Sequence, residues 1–226
     1  MFPAHHTKEV LDSIGQKTDT VILFYSSGKD SIALLDMLAK RFKKVVVVLM
    51  YFVKGLEHIE RFISFSEKNY KNIEVIQVPH WCLTHIQKNG LFCSPNPKIK
   101  TLKLADVISS VRLRTGIDYV VLGMKQADNM NRRIMLRGHE NEAISSTNLV
   151  YPLSKWKDSE VLRYLKNNKL PQPVQYGNKR SNGAGFDIDV FLYLQKHYPN
   201  DLRMILDKYP LSEKLLFDYE NGLETI

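Results

Sequence analysis

This sequence predicts an α/β fold: a doubly wound, mostly parallel sheet followed by a C-terminal helical extension. Three observations carry that expectation. Short apolar runs suited to strands recur at 21–25, 45–53 and 73–78. Between them lie segments whose apolar residues repeat at helical spacing. The strands are apolar on both faces, as expected of a parallel sheet covered on two sides by helices.

Thr7 is the expected cap of a first short helix, with Val10, Leu11 and Ile14 on one face and Gly15 as its stop. A strand follows at 21–25. After a polar loop, Ser31, Leu34, Leu35, Leu38 and Phe42 mark one helical face, and "KKVVVVLMYF" is the second strand. Leu56, Ile59, Phe62, Ile63 and Tyr70 mark the next helix, and "IEVIQV" the third strand, before Pro79. Gly90, Pro95 and Pro97 break the rhythm, so residues 80–100 read as a long excursion at the sheet's edge or over its mouth.

Leu104, Val107, Ile108 and Val111 restore helical spacing, 118–122 is a fourth strand, and 123–141 is a polar loop rich in Asn and Arg. A short strand at 149–153 precedes a helix at about 158–167. Residues 170–185 read as loop, and short helices follow with Phe191, Leu194, Leu202, Ile205, Leu206, Leu215 and Leu216 as buried positions. The expected domains are an α/β domain at 1–165 and a loop and helical extension at 166–226.

At 226 residues, with 44% hydrophobic and 25% charged residues and no repeat, the chain is long enough to bury a substantial core without staples. The net charge of +8, from 32 basic against 24 acidic residues, favours anionic ligands or is simply a solubilising surplus. Nucleic acid is one anionic partner it allows, but the positive charge is spread along the chain rather than gathered in one tail. The longest apolar stretch, "VVVVLMYFV", is far short of the ~20 residues a membrane span needs. Two cysteines, Cys82 and Cys93, and a start without a basic segment and apolar core point to a reducing cytoplasm. With His80 and His85 they match no common zinc spacing.

The loop "SSGKDS" at 26–31 leaves the end of a parallel strand and opens a helix, which gathers backbone N–H groups and the positive end of the helix dipole. It is an anion cradle or a structural turn. A P-loop would need Gly at 23 and a hydroxyl residue at 30, where Leu23 and Asp30 stand, and a dinucleotide fingerprint would need more glycines. No Gly-x-Ser-x-Gly elbow surrounds Ser26 or Ser31. The loop resembles the Ser-Gly-Gly-x-Asp-Ser pyrophosphate loop of the adenine nucleotide α-hydrolase superfamily, with Ser27 at the first glycine. The resemblance implies a Rossmann-like fold and ATP held by its pyrophosphate, commonly cleaved between the α and β phosphates.

A second polar segment, "GMKQADNMNRR", follows the fourth strand and so faces the same crevice. It resembles the Gly-x-Arg-x-x-Glu-Ser-x-x-Arg segment of phosphoadenosine phosphosulfate reductases, with Gly123 in register, Lys125 for Arg, Asp128 for Glu and Arg132 for the final Arg. Taken alone it is also readable as a solvated basic loop. Pro152, Trp156, Val161, Leu165, Leu170, Pro171 and Tyr176 continue the likeness, which covers roughly residues 20–185. The reductases' nucleophilic thiol has no counterpart, because no cysteine follows Cys93 and Ala184 stands where one would be.

The expectation is therefore an enzyme that binds ATP or adenosine phosphosulfate with Mg²⁺ and splits ATP to AMP and pyrophosphate, activating an unknown acceptor. Asp30, Lys125 and Arg132 are the catalytic candidates. Ser26, Ser27, Gly28, Lys29, Asp30, Ser31, Gly123, Asp128 and Arg133 are the nucleotide-binding candidates, and Asp30 is the metal ligand. The alternative is a reductase-like scaffold that binds a nucleotide without catalysis, in regulation or beside nucleic acid. The sequence leaves oligomeric state open.

Overall fold

A computed structural model describes residues 3–177 and 185–223. The Ala184 position lies outside them. The sheet has five strands in the order β3-β2-β1-β4-β5: β1 (Thr20–Tyr25), β2 (Lys44–Tyr51), β3 (Ile73–Pro79), β4 (Val120–Val121) and β5 (Leu149–Val150). It is parallel throughout, with helices flanking it. β1 is central, pairing with β2 from Thr20↔Lys44 to Tyr25↔Leu49 and with β4 through Ile22↔Val120 and Leu23↔Val121. Val21–Leu23 and Val45–Val48 are wholly buried, which is why neither run alternates with polar residues.

The chain divides into two compact units, and each is discontinuous in sequence. The first comprises 1–49, 65–76 and 111–173. Here α1 (Pro3–Gly15) precedes β1, α2 (Lys29–Ala39) joins β1 to β2, and α7 (Asp158–Asn167) follows β5. Thr7 lies inside α1, not at its start: its hydroxyl donates to Pro152 O at 2.7 Å and accepts from Trp156 Nε1 at 2.7 Å. It anchors the segment after β5 instead of capping a helix. The buried Asp36 of α2 accepts from Tyr70 Oη at 3.0 Å and from Tyr164 Oη of α7 at 2.5 Å, so α2 is clamped to α7. That clamp brings the start of α7 to the start of α2.

The second unit comprises 50–64, 77–110 and 174–226. It contains the first half of α3 (Glu57–Asn69), all of α4 (Cys82–Asn89) and part of α5 (Leu104–Thr115), then α8 (Ile188–His197), α9 (Pro199–Lys208) and, after a 3₁₀ turn, α10 (Lys214–Glu220). α4 occupies part of the stretch expected to be an irregular excursion. It is only eight residues long and is stopped by Gly90, whose φ of 72° closes the helix in the left-handed region. Asp201 caps α3 from α9: its carboxylate accepts the backbone N–H groups of Glu57 at 2.8 Å and His58 at 2.9 Å, and contacts His58 Nδ1 at 2.6 Å. Among the described residues no helix is long and apolar enough to cross a membrane.

Candidate functional site

Strand order places the site. β1 neighbours β2 on one side and β4 on the other, so the chain reverses direction across the sheet between β1 and β4. The loops leaving the carboxyl ends of these two strands must open a crevice there. The first is 26–28, leading into α2. The second is 122–129, leading into α6 (Met130–Arg137), a helix within the segment expected to be loop. Of its eight residues only Leu136 is buried, so apolar periodicity could not reveal it.

In the first loop, Ser26 N–H donates to Ser31 Oγ at 3.2 Å and Ser31 Oγ–H donates to Gly28 O at 2.9 Å, which folds the loop onto the first turn of α2. Gly28 is the N-cap, with no side-chain cap. The N–H groups of the first turn are left without intrahelical partners. Ser27 has φ 53°, in the left-handed region, and its hydroxyl donates back to Ser26 O at 2.6 Å. The position where the resembling loops carry glycine is therefore one where the backbone demands what glycine supplies freely.

The second loop is tied down by Gln126 N–H donating to Ser154 O at 2.8 Å. Asn129 is the N-cap of α6, its side chain accepting from Arg132 N–H at 2.8 Å. It stands where the reductase segment has Ser, another good cap. Asp128 accepts Lys125 N–H at 2.9 Å and pairs with Arg132 at 2.6 Å. Arg133 Nε–H reaches Gln126 O at 3.4 Å.

The two loops meet at the Lys125 ammonium. This side chain is 1% exposed and lies 2.7 Å from Asp30 Oδ1, 3.0 Å from Asp128 Oδ1 and 3.4 Å from Asp158 Oδ1. Lys29 Nζ lies 3.2 Å from Asp30 and 3.5 Å from Asp158. Burial disfavours the Lys125 charge, but Asp30 and Asp128 more than compensate, and its pKa is raised above the ordinary lysine value. Burial opposes ionisation of Asp128 too, yet the Lys125 backbone and ammonium and Arg132 hold its pKa below the ordinary carboxylate value. Gly123 completes the junction: a β-carbon there would lie 3.1 Å from the Asp30 Cβ.

All the candidate residues thus fall on two adjoining loops and the first turns of the helices they open, within one unit. Sequence reasoning missed Asp158. It opens the helix after β5, a strand on the same side of the switch as β4, and that position was the signal available to find it. As arranged, the carboxylates do not fit a divalent ion: Asp30, Asp128 and Asp158 all turn on Lys125. Among the described residues no group of three or more His, Cys, Asp or Glu is placed to hold a metal. Cys82 and Cys93 are free thiols in the second unit, and burial pushes Cys82 up.

A Rossmann-like sheet with paired loops at its switch point defines the class, a nucleotide-binding α/β domain. Residues 20–179 match the model of the phosphoadenosine phosphosulfate reductase domain, and the chain belongs to that family. A solved structure of phosphoadenylyl-sulfate reductase from Candida auris, as a phosphate complex, shares the fold: TM-score 0.51, 16% identity, covering 74% of this chain and 81% of that one. No curated protein sequence matches the chain.

Proposed function

We propose that this protein binds an adenine nucleotide with its phosphates at the N-terminus of α2, and that it splits ATP between the α and β phosphates to adenylate an acceptor. The observation that carries this reading is the convergence of the 26–31 and 123–133 loops on one point, with family membership behind it. In the reaction an acceptor nucleophile attacks the α-phosphorus. The bond from that phosphorus to the bridging oxygen breaks, AMP remains on the acceptor, and pyrophosphate leaves with the electron pair.

Such a transfer needs positioning and charge neutralisation more than covalent chemistry. The N–H groups of the first turn of α2 supply fixed donors for the phosphates. Lys29 supplies a charge that is only loosely held, at 3.2 and 3.5 Å from its carboxylate partners, and so is free to turn to an anion. Arg132, paired with Asp128, and Arg133, near Gln126 O, stand on the first turn of α6, which the second loop opens. Asp30 and Asp128 orient these cations through Lys125 and Arg132.

The test is calorimetric titration with ATP, AMP and phosphoadenosine phosphosulfate, paired with assays for pyrophosphate and AMP release over a panel of acceptors. ATP binding with stoichiometric pyrophosphate and adenylated acceptor is the expected result. Tight binding without turnover favours a regulatory scaffold, and absence of nucleotide binding overturns both.

A further inference from the structure

We propose that the Lys125 ammonium is the resident cation of this site, filling the point on which Asp30, Asp128 and Asp158 converge, so that the protein holds phosphates without ligating a divalent metal ion. The clause about phosphates rests on the nucleotide reading above, but the assignment of the cation does not.

Three carboxylates surround the ammonium. Lysine carries three N–H donors, and three carboxylates drawn from three separate elements stand at 2.7, 3.0 and 3.4 Å from its nitrogen. Its side chain is 1% exposed, so the ammonium lies inside the protein and not at its surface. Burial alone would drive such an amine to neutrality. Here the carboxylates reverse that tendency and keep the charge in place. A compact ammonium suits a three-sided pocket in a way that a planar guanidinium, built for paired contacts, does not. This gives a physical reason for Lys125 where the resembling reductase segment carries Arg.

Magnesium keeps most of its waters and takes one or two carboxylates together with phosphate oxygens at about 2.1 Å. Asp30, in the first turn of α2, instead pairs with Lys125 at 2.7 Å and with Lys29 at 3.2 Å. On this reading, magnesium arriving with ATP stays with the phosphates and water. Lys125 is then a positioning residue that locks the 26–31 loop, the 123–129 loop and the start of α7 together.

The test uses the full chain and Mn²⁺ alone, followed by electron paramagnetic resonance. Wild type is expected to show no Mn²⁺ binding that depends on Asp30. Lys125→Ala, which removes the cation that balances Asp30, Asp128 and Asp158, is expected to bind Mn²⁺ about tenfold more tightly than wild type. Adding Asp30→Asn to Lys125→Ala should abolish the gain, and Lys125→Met, which refills the space without charge, should show none. Circular dichroism confirms that each variant is folded. A folded Lys125→Ala with no gain overturns the proposal, as does wild-type Mn²⁺ binding lost in Asp30→Asn. If Lys125→Ala does not fold, the wild-type Mn²⁺ measurement set against Asp30→Asn decides: no binding that depends on Asp30 supports the assignment, and binding lost in Asp30→Asn overturns it. Absence of ATP binding by wild type in calorimetry counts against the nucleotide reading and leaves the cation assignment to the Mn²⁺ measurement.

Discussion

Gly123 lies so close to Asp30 that a β-carbon on it would sit 3.1 Å from the Asp30 Cβ and 3.7 Å from its carbonyl carbon. The segment after β4 and the first turn of α2 approach so closely there that a β-carbon fits only if Asp30 gives way by a few tenths of an ångström. Gly123→Ala is therefore expected to push Asp30 away from Lys125. The predicted cost is about 1 kcal/mol in stability by urea unfolding and about tenfold in nucleotide affinity by calorimetry. Unchanged affinity would show that the position of Asp30 does not matter to binding.

Ser27 occupies a left-handed conformation at φ 53°, which costs an L-residue about 1–2 kcal/mol relative to glycine. Its hydroxyl contact to Ser26 O offsets part of that. Ser27→Gly is expected to stabilise the protein by about 1 kcal/mol while leaving nucleotide binding intact. Ser27→Val should destabilise it, since β-branching makes the same φ harder to hold. Equal stability in all three proteins would contradict the strain argument.

Asp158 lies 3.5 Å from Lys29, so in the proposed nucleotide-binding reading it competes with phosphate for that cation. Its side chain is 40% exposed, so the attraction is largely screened by solvent. Asp158→Asn is expected to raise ATP affinity about threefold and to steepen its salt dependence. A loss of affinity would instead make Asp158 a direct participant in binding.

Asp201 ties α9 to the start of α3 by two backbone acceptances and the contact with the buried His58 imidazole. Asp201→Ala removes a cap and strands a buried ring, at an expected cost of about 2–3 kcal/mol. Asp201→Asn, which keeps one acceptor oxygen, should lose less. Melting of the two variants separates a hydrogen-bonding role from simple loss of packing.

The pH dependence has a definite sign. Burial pushes His58 below its ordinary value against the opposing pull of Asp201, and burial lowers His80 likewise. Unfolded histidines therefore take up protons first, and stability is lost as pH falls from about 6.5 through the folded values. Asp128, also depressed, adds a second loss as pH falls from about 3.9. The raised Lys125 acts at the other limit: its contribution holds below about pH 10.4 and is lost as pH rises through its folded value. Melting temperatures between pH 7.5 and 5.5 should fall in wild type and fall less in His58→Gln. A flat wild-type profile would refute the assignment.

The short polar helices were the illegible part of the chain. α4 and α6 run for only eight residues each, and α6 buries a single side chain, so neither leaves an apolar stripe to read. Their stops and caps, Gly90 and Asn129, were visible as residue types, but without periodicity they read as turn formers. Thr7 misled for the opposite reason: a good capping residue placed near a helix start turned out to serve a distant segment through its hydroxyl.

The sequence by itself determined the alternation of strands and helices, the two polar loops, and the residue types that could meet an anion. Strand periodicity and helix spacing are local, and each is written within a few residues. Tertiary structure alone decided that β1 and β4 are neighbours and that Asp158 joins the site. It also decided that Asp30, Asp128 and Asp158 meet on one ammonium. The physical reason is that strand order and the Asp36 clamp on α7 bring distant segments together at distances of a few ångströms. No pattern within a single segment encodes which charge will face which.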